Sequence, residues 1–144
     1  FVFAGVQFRS PRSPERWAAG NQQALDTARG IRLIRDATRL PVIMAGDLNA
    51  SPVGVRSRLI GRVAGLARAK PALLAEGTYP ASLPWPARVP IDGALVSPGV
   101  RVVSYRTLEA AGSDHRAVLM ELELPGQAAV PSRSASSSMN SSSP

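Results

Sequence analysis

The sequence contains no cysteine, which excludes disulfide staples, thiolate zinc sites and a cysteine nucleophile. It has a single histidine and ten acids, so its polar inventory is short. Aromatic residues make up only 5%, too few for the stacking platforms of a single-strand nucleic-acid binder. No apolar run approaches the roughly 18–20 residues that cross a bilayer as one helix. What the chain does have is apolar content of 44% over 144 residues. That is enough for one packed domain and excludes wholesale disorder. The chain opens at Phe1 inside an apolar run, with neither an initiator methionine nor a signal-peptide pattern, and so reads as the back part of something longer.

Charge is lopsided, with 17 basic residues against 10 acidic and a net charge of +7. Lys70 is the only lysine; the rest of the basic residues are arginine. They are scattered rather than gathered in a stripe: Arg9, Arg12 and Arg16, then Arg29, Arg32, Arg35 and Arg39, then Arg56, Arg58 and Arg62. Such a surface favours phosphate-bearing partners, but a solvated arginine-rich face is the stronger explanation, and charge alone decides nothing.

Hydrophobic patterning predicts an alternation of strands and helices. Residues 1–6 read as a buried strand. Ser13-Pro14-Glu15 reads as a helix start, with serine as N-cap, proline in the first turn and an acid beside it. Ala24, Ala28, Ile31 and Ile34 then fall on one helical face. Residues 41–45 form a wholly apolar strand of the kind buried on both sides, ending at Gly46-Asp47-Leu48-Asn49. A second helix is expected over 53–69, weakened by Gly54, Gly61 and Gly65. Prolines at 80, 84, 86 and 90 make 78–90 a surface loop with little regular structure. Residues 91–97 and 100–105 read as strands flanking the Pro98-Gly99 turn. Residues 116–124 alternate, with Val118, Met120, Leu122 and Leu124 on one side. The composition supports one domain over 1–125 and a disordered Ser-rich tail over 126–144. Together this is an α/β layered domain whose sheet is incomplete.

Few polar groups sit where chemistry is expected. Glu15, Asp26, Asp36, Glu121 and Glu123 fall on outer faces, and solvation accounts for them. Asp47, Asp92, Asp114 and His115 instead lie at strand ends beside apolar stretches, where α/β enzymes place their sites. Asn49 joins them two residues after Asp47, on the same side of an extended turn. Oxygen ligands and one imidazole, without thiols, suit Mg²⁺, Mn²⁺ or Ca²⁺ rather than structural zinc. Such a set suits attack of water on phosphorus. Taken singly, each residue also has a plainer explanation. Asp47 and Asn49 can be turn-formers, Asp92 a hairpin residue and His115 a satisfied loop histidine.

The order of three short motifs is more specific than any one of them. Gly46-Asp47-Leu48-Asn49, then Pro90-Ile91-Asp92, then Gly112-Ser113-Asp114-His115 resembles the endonuclease/exonuclease/phosphatase superfamily of DNase I-like metal-dependent phosphoesterases. Ala50-Ser51-Pro52 and Thr78-Tyr79-Pro80 add to the likeness, which covers roughly 1–125. The resemblance implies the C-terminal half of a four-layer DNase I-like α/β sandwich. It implies that Asp47 orients or deprotonates the attacking water and that Asn49 donates to the phosphoryl group. It further implies that Asp114 binds Mg²⁺ or Mn²⁺, and that His115 contacts the scissile phosphate with its ring held by Asp92.

Three departures from the family pattern matter. A metal-binding Glu and an active-site Asn normally come from the first half of the sandwich, which makes that missing N-terminal half the expected partner. Gln7 stands where members often carry a histidine at the end of the strand before the long helix, and it cannot exchange a proton at neutral pH. Gly93 follows Ile91-Asp92 where a histidine is common. The expected function is metal-dependent hydrolysis of a phosphoester, with nucleic acid favoured as substrate by the arginines. The alternative is an inactive relic of the fold that serves as a binding or scaffold domain. Bacterial relatives often carry membrane helices ahead of this domain, so the resemblance leaves the location open.

Overall fold

The computed structural model describes residues 1–71 and 74–126. The expected disorder of 126–144 falls, apart from Gly126, outside the described residues. The element order is β1 (Val2–Gln7), α1 (Pro14–Thr38), β2 (Val42–Asp47), α2 (Val55–Ala64), β3 (Ala67–Arg68), β4 (Asp92–Val96), β5 (Arg101–Leu108) and β6 (Ala117–Glu123). Four strands form one sheet in the order β1-β2-β4-β3, and β5 pairs with β6 in a separate two-stranded sheet. β1 runs parallel to β2, with α1 as the crossover. β4 returns antiparallel between β2 and β3.

β2 is buried on both faces, as its unbroken apolar sequence predicts. On one side, Val42, Met44 and Leu95 pack with Ala24, Ala28 and Ile31 of α1 and Ile60 and Ala64 of α2. On the other, Ile43, Ala94 and Val96 pack with Val102, Tyr105, Met120 and Leu122 of the two-stranded sheet. The result is three layers: helices, the four-stranded sheet and the β5–β6 pair. Met44, Leu48, Ile60 and Leu95 are each almost fully buried, stabilising the fold by roughly 1.5–3 kcal/mol apiece.

Ser13 caps α1 as expected, its Oγ accepting from the Arg16 N–H at 3.2 Å. Three expectations are corrected. Ile34 does not join the buried face of α1 and is 43% exposed. The last contact of α1 with α2 is instead polar, made by Arg35, whose Nη1 donates to the carbonyls of Ala64 and Gly65. The second helix does not reach residue 69. It stops at Ala64, where Gly65 turns left-handed at φ 65° and releases the chain into β3. Finally, the strand expected over 100–105 runs on to Leu108 as β5, and at the Pro98-Gly99 turn the chain crosses from one sheet to the other.

Candidate active site

Sheet register brings the polar strand ends together. Gln7 at the end of β1 pairs with Asp47 at the end of β2. Asp47 in turn pairs with Asp92 at the start of β4. One edge of the sheet therefore carries a row Gln7, Asp47, Asp92. Gly46, just before Asp47, has φ 146°, and a Cβ there would lie 1.9 Å from the Val6 carbonyl oxygen. The motif glycine is thus what lets β2 close on β1 beside the site.

Asn49 reaches the same place by a left-handed turn rather than an extended one, with φ 43°, a conformation asparagine tolerates better than most residues. Its backbone N–H donates to Asp47 Oδ1 at 2.8 Å. Its side-chain amide donates to Asp47 Oδ2 at 2.7 Å and to the Phe8 carbonyl at 2.8 Å. Both amide protons are therefore engaged, and the residue clamps the Asp47 carboxylate.

His115 comes from the turn before β6. Its Nδ1 lies 2.8 Å from Asp92 Oδ2, and the pair is largely shielded from solvent. The Tyr79 ring lies against the imidazole, with centroids 4.8 Å apart and planes tilted by 41°. The loop carrying Asp114 and His115 is tied down by backbone bonds on both sides. Ala81 N–H donates to the Asp114 carbonyl at 2.7 Å, and Arg116 N–H to the Thr78 carbonyl at 2.9 Å. Thr78 itself is fully buried, and its Oγ1 accepts from the Asp92 N–H at 3.2 Å. One threonine thus fixes Asp92 through its side chain and the loop that carries His115 through its carbonyl.

Asp47, Asp92 and His115 each offer a ligand atom within 4.8 Å of the others. Asp114 is not part of that tight group. It is exposed and lines the same cleft, which has a volume of about 430 Å³. Burial pushes the Asp47 carboxyl above the usual carboxylate range and the Asp92 charge adds to this, against the opposing pull of the Asn49 hydrogen bonds and His115. For His115, burial alone would depress the imidazole. The hydrogen bond to Asp92 and the charges of Asp92, Asp47 and Asp114 outweigh it and raise the pKa above its ordinary value. Asp47 and Asp92, with ligand atoms within 4.8 Å of each other, and Asp114, which lines the cleft beside Asp47, are a donor set that fits a hard divalent cation, which would relieve the repulsion between carboxylates.

Two residues without a sequence-based role support the site. Tyr79 is one. The other is Arg56, buried to 4% exposure. Its Nη1 donates to the carbonyls of Arg9, Leu48 and Asn49 at 3.1–3.2 Å, and its Nε to Asn21 Oδ1 at 3.0 Å. An arginine at the start of a helix, beside a glycine-rich turn, gives no sequence signal of such a role.

A family model described as the Endonuclease/Exonuclease/phosphatase family matches residues 2–115. The fold is similar to that of the endonuclease/exonuclease/phosphatase from Bacteroides vulgatus, with 24% identity and a TM-score of 0.60 over 74% of this chain and 46% of that one. It is also similar to the human Nocturnin catalytic domain with bound sulfate, with 20% identity and a TM-score of 0.63 over 85% and 46%. A third likeness is to the mannosyl-6-phosphatase of Bacteroides thetaiotaomicron, with 16% identity and a TM-score of 0.56 over 85% and 51%. At such identities the likeness is one of fold. The chain spans about half the length of these solved structures. No curated protein matches its sequence.

Proposed function

The chain belongs to the endonuclease/exonuclease/phosphatase family, and from that premise we propose that it supplies one half of the active site of a metal-dependent phosphoester hydrolase. The observation that carries the proposal is the convergence of Asp47, Asp92 and His115 within 4.8 Å, with Asn49 clamped on Asp47. The resemblance assigns a glutamate and an asparagine to the other half, so activity is proposed for a polypeptide that carries both halves.

In this reading Asp47 orients and deprotonates the attacking water, and its raised pKa makes it a stronger base than a solvated aspartate. Asn49 holds that carboxylate in line. It can donate to a phosphoryl oxygen by exchanging one of its two present acceptors. Asp92 fixes the His115 tautomer through Nδ1 and favours the imidazolium, leaving Nε2 as the donor for the scissile phosphate. Asp114, with the remaining lone pairs of Asp47 and Asp92, would hold Mg²⁺ or Mn²⁺. When bound, the cation supplies charge compensation at the phosphoryl oxygens.

The test is hydrolysis of bis(p-nitrophenyl) phosphate by a polypeptide that carries both halves. Turnover should vanish in EDTA and return with Mg²⁺ or Mn²⁺. Undiminished turnover in EDTA would contradict the metal-dependent reading. Gln7 favours a second reading, an inert binding domain, since it lines the cleft and can neither take nor give a proton at neutral pH. That reading predicts phosphate-ester binding with no turnover under any metal.

A further inference from the structure

The cleft has a wall that the proposed chemistry does not use. Arg9 and Arg12, from the segment joining β1 to α1, and Arg16, from the first turn of α1, line it together with Asp47, Asp114 and His115. None of the three guanidinium groups makes an ion pair or a side-chain hydrogen bond with another described residue. They therefore do not neutralise the carboxylates of the site. Glu15, the only acid of the segment, is turned to Ser13, whose Oγ donates to it at 2.7 Å.

The backbone that carries these arginines is held in place. Arg9 N–H donates to Gln23 Oε1 at 3.2 Å, and the Arg9 carbonyl accepts from the buried Arg56 at 3.1 Å. Arg12 N–H donates to the Ser10 carbonyl at 2.9 Å, and Arg16 N–H bonds to the N-cap oxygen of Ser13. The side chains are exposed, so an incoming anion meets them without the desolvation penalty of a buried charge. A planar guanidinium offers paired N–H groups that match phosphate oxygens. The cleft, at about 430 Å³, falls within the range of sites that accept whole small molecules.

We propose that Arg9, Arg12 and Arg16 form a subsite for a second phosphate of the substrate, beyond the one that is hydrolysed. The proposal rests on the phosphoesterase reading for the location of the first phosphate. The shared chemistry is a pair of phosphates on one molecule, which a nucleic-acid backbone or a sugar bisphosphate both provide.

Calorimetric titration in the presence of Mg²⁺, with turnover of bis(p-nitrophenyl) phosphate by the polypeptide that carries both halves followed in parallel, tests it. The probes are thymidine 3′,5′-bisphosphate against thymidine 5′-monophosphate, and fructose 1,6-bisphosphate against fructose 6-phosphate. At least one bisphosphate should bind about tenfold tighter than its monophosphate. That ratio should fall to about one in the Arg9→Gln/Arg12→Gln/Arg16→Gln variant, whose circular dichroism should match the wild type because all three side chains are exposed. A preference confined to the nucleotide assigns the subsite to a nucleic-acid backbone, one shared with the sugar assigns it to any phosphate pair, and both support it. A ratio near one in the wild type, or a ratio unchanged in the triple variant, overturns it. Binding with this preference, together with no turnover of bis(p-nitrophenyl) phosphate by the polypeptide that carries both halves, would leave the subsite standing and remove the hydrolase reading. Turnover without the preference would do the reverse.

Discussion

The His115 ring nitrogen Nδ1 and the Asp92 carboxylate oxygen Oδ2 stand 2.8 Å apart, joining a turn residue ahead of β6 to the first residue of β4. The pair raises the His115 pKa above its ordinary value despite burial. In metal-free protein, the His115 titration followed by NMR should have its midpoint above 6.5, the ordinary value. In Asp92→Asn the midpoint should fall, because burial then acts with less opposition. Because the folded pKa is the raised one, the stability contributed by the pair is complete below about 6.5 and is lost as pH rises through the folded value. An unchanged midpoint in Asp92→Asn would show that the contact does not set the charge of His115.

Arg56 is the fastener of the site loops. Its removal leaves three carbonyls without their donor, each a loss of roughly 1–3 kcal/mol if water does not replace it. Arg56→Ala should therefore lower unfolding free energy by about 3 kcal/mol or more, read from urea midpoints. Gly20→Ala gives an independent check. Alanine favours a helix by about 1 kcal/mol over glycine, yet the added Cβ would sit 2.6 Å from Arg56 Nη2 and 2.9 Å from the Arg9 carbonyl oxygen. Overpacking of that kind costs roughly 1–3 kcal/mol, so the substitution should destabilise. A stabilised Gly20→Ala would mean that the loops yield easily and Arg56 does not fix them.

Glu76 ties the segment after β3 to β5. It accepts from Lys70 Nζ at 2.6 Å, from Thr107 Oγ1 at 2.8 Å and from Thr107 N–H at 3.0 Å. The Lys70 hydrogen bond leads in holding its carboxyl below the usual 4.5; burial opposes it, and the Thr107 bonds and the Lys70 charge add to the lowering. A depressed folded pKa means that this stability is present above about 4.5 and is lost as pH falls through the folded value. Urea midpoints should drop below pH 4.5, and Glu76→Gln should make that drop shallower. An identical acid limb in the variant would remove Glu76 from the account.

Local chemistry was legible in the sequence and long-range geometry was not. Ser13-Pro14 marked the start of α1 because capping is a matter of adjacent residues. The unbroken apolar run of β2 marked a central strand because both its faces are covered. The three motifs marked Asp47, Asp114 and His115, which line one cleft, and Asp92, which holds the His115 ring. Nothing in the chain marked Ile34 as exposed, since its spacing is right and only the reach of α2 decides its burial. Nothing marked the crossing of the chain between sheets at Pro98-Gly99, since strand pairing is chosen by partners distant in sequence. Arg56 looked like any other arginine until Arg9, Leu48 and Asn49 were seen to turn their carbonyls on it.

The most direct test of the central claim is kcat/KM for bis(p-nitrophenyl) phosphate, with Mg²⁺, in Asp47→Asn and His115→Gln against the unaltered protein, each as a polypeptide that carries both halves of the site. Loss of a positioned general base or acid removes about a hundredfold or more, and both variants should fall by at least that much while keeping native circular dichroism. Turnover equal to that of the unaltered protein in either variant would contradict the assignment of this cleft as the place where the phosphoester is cut.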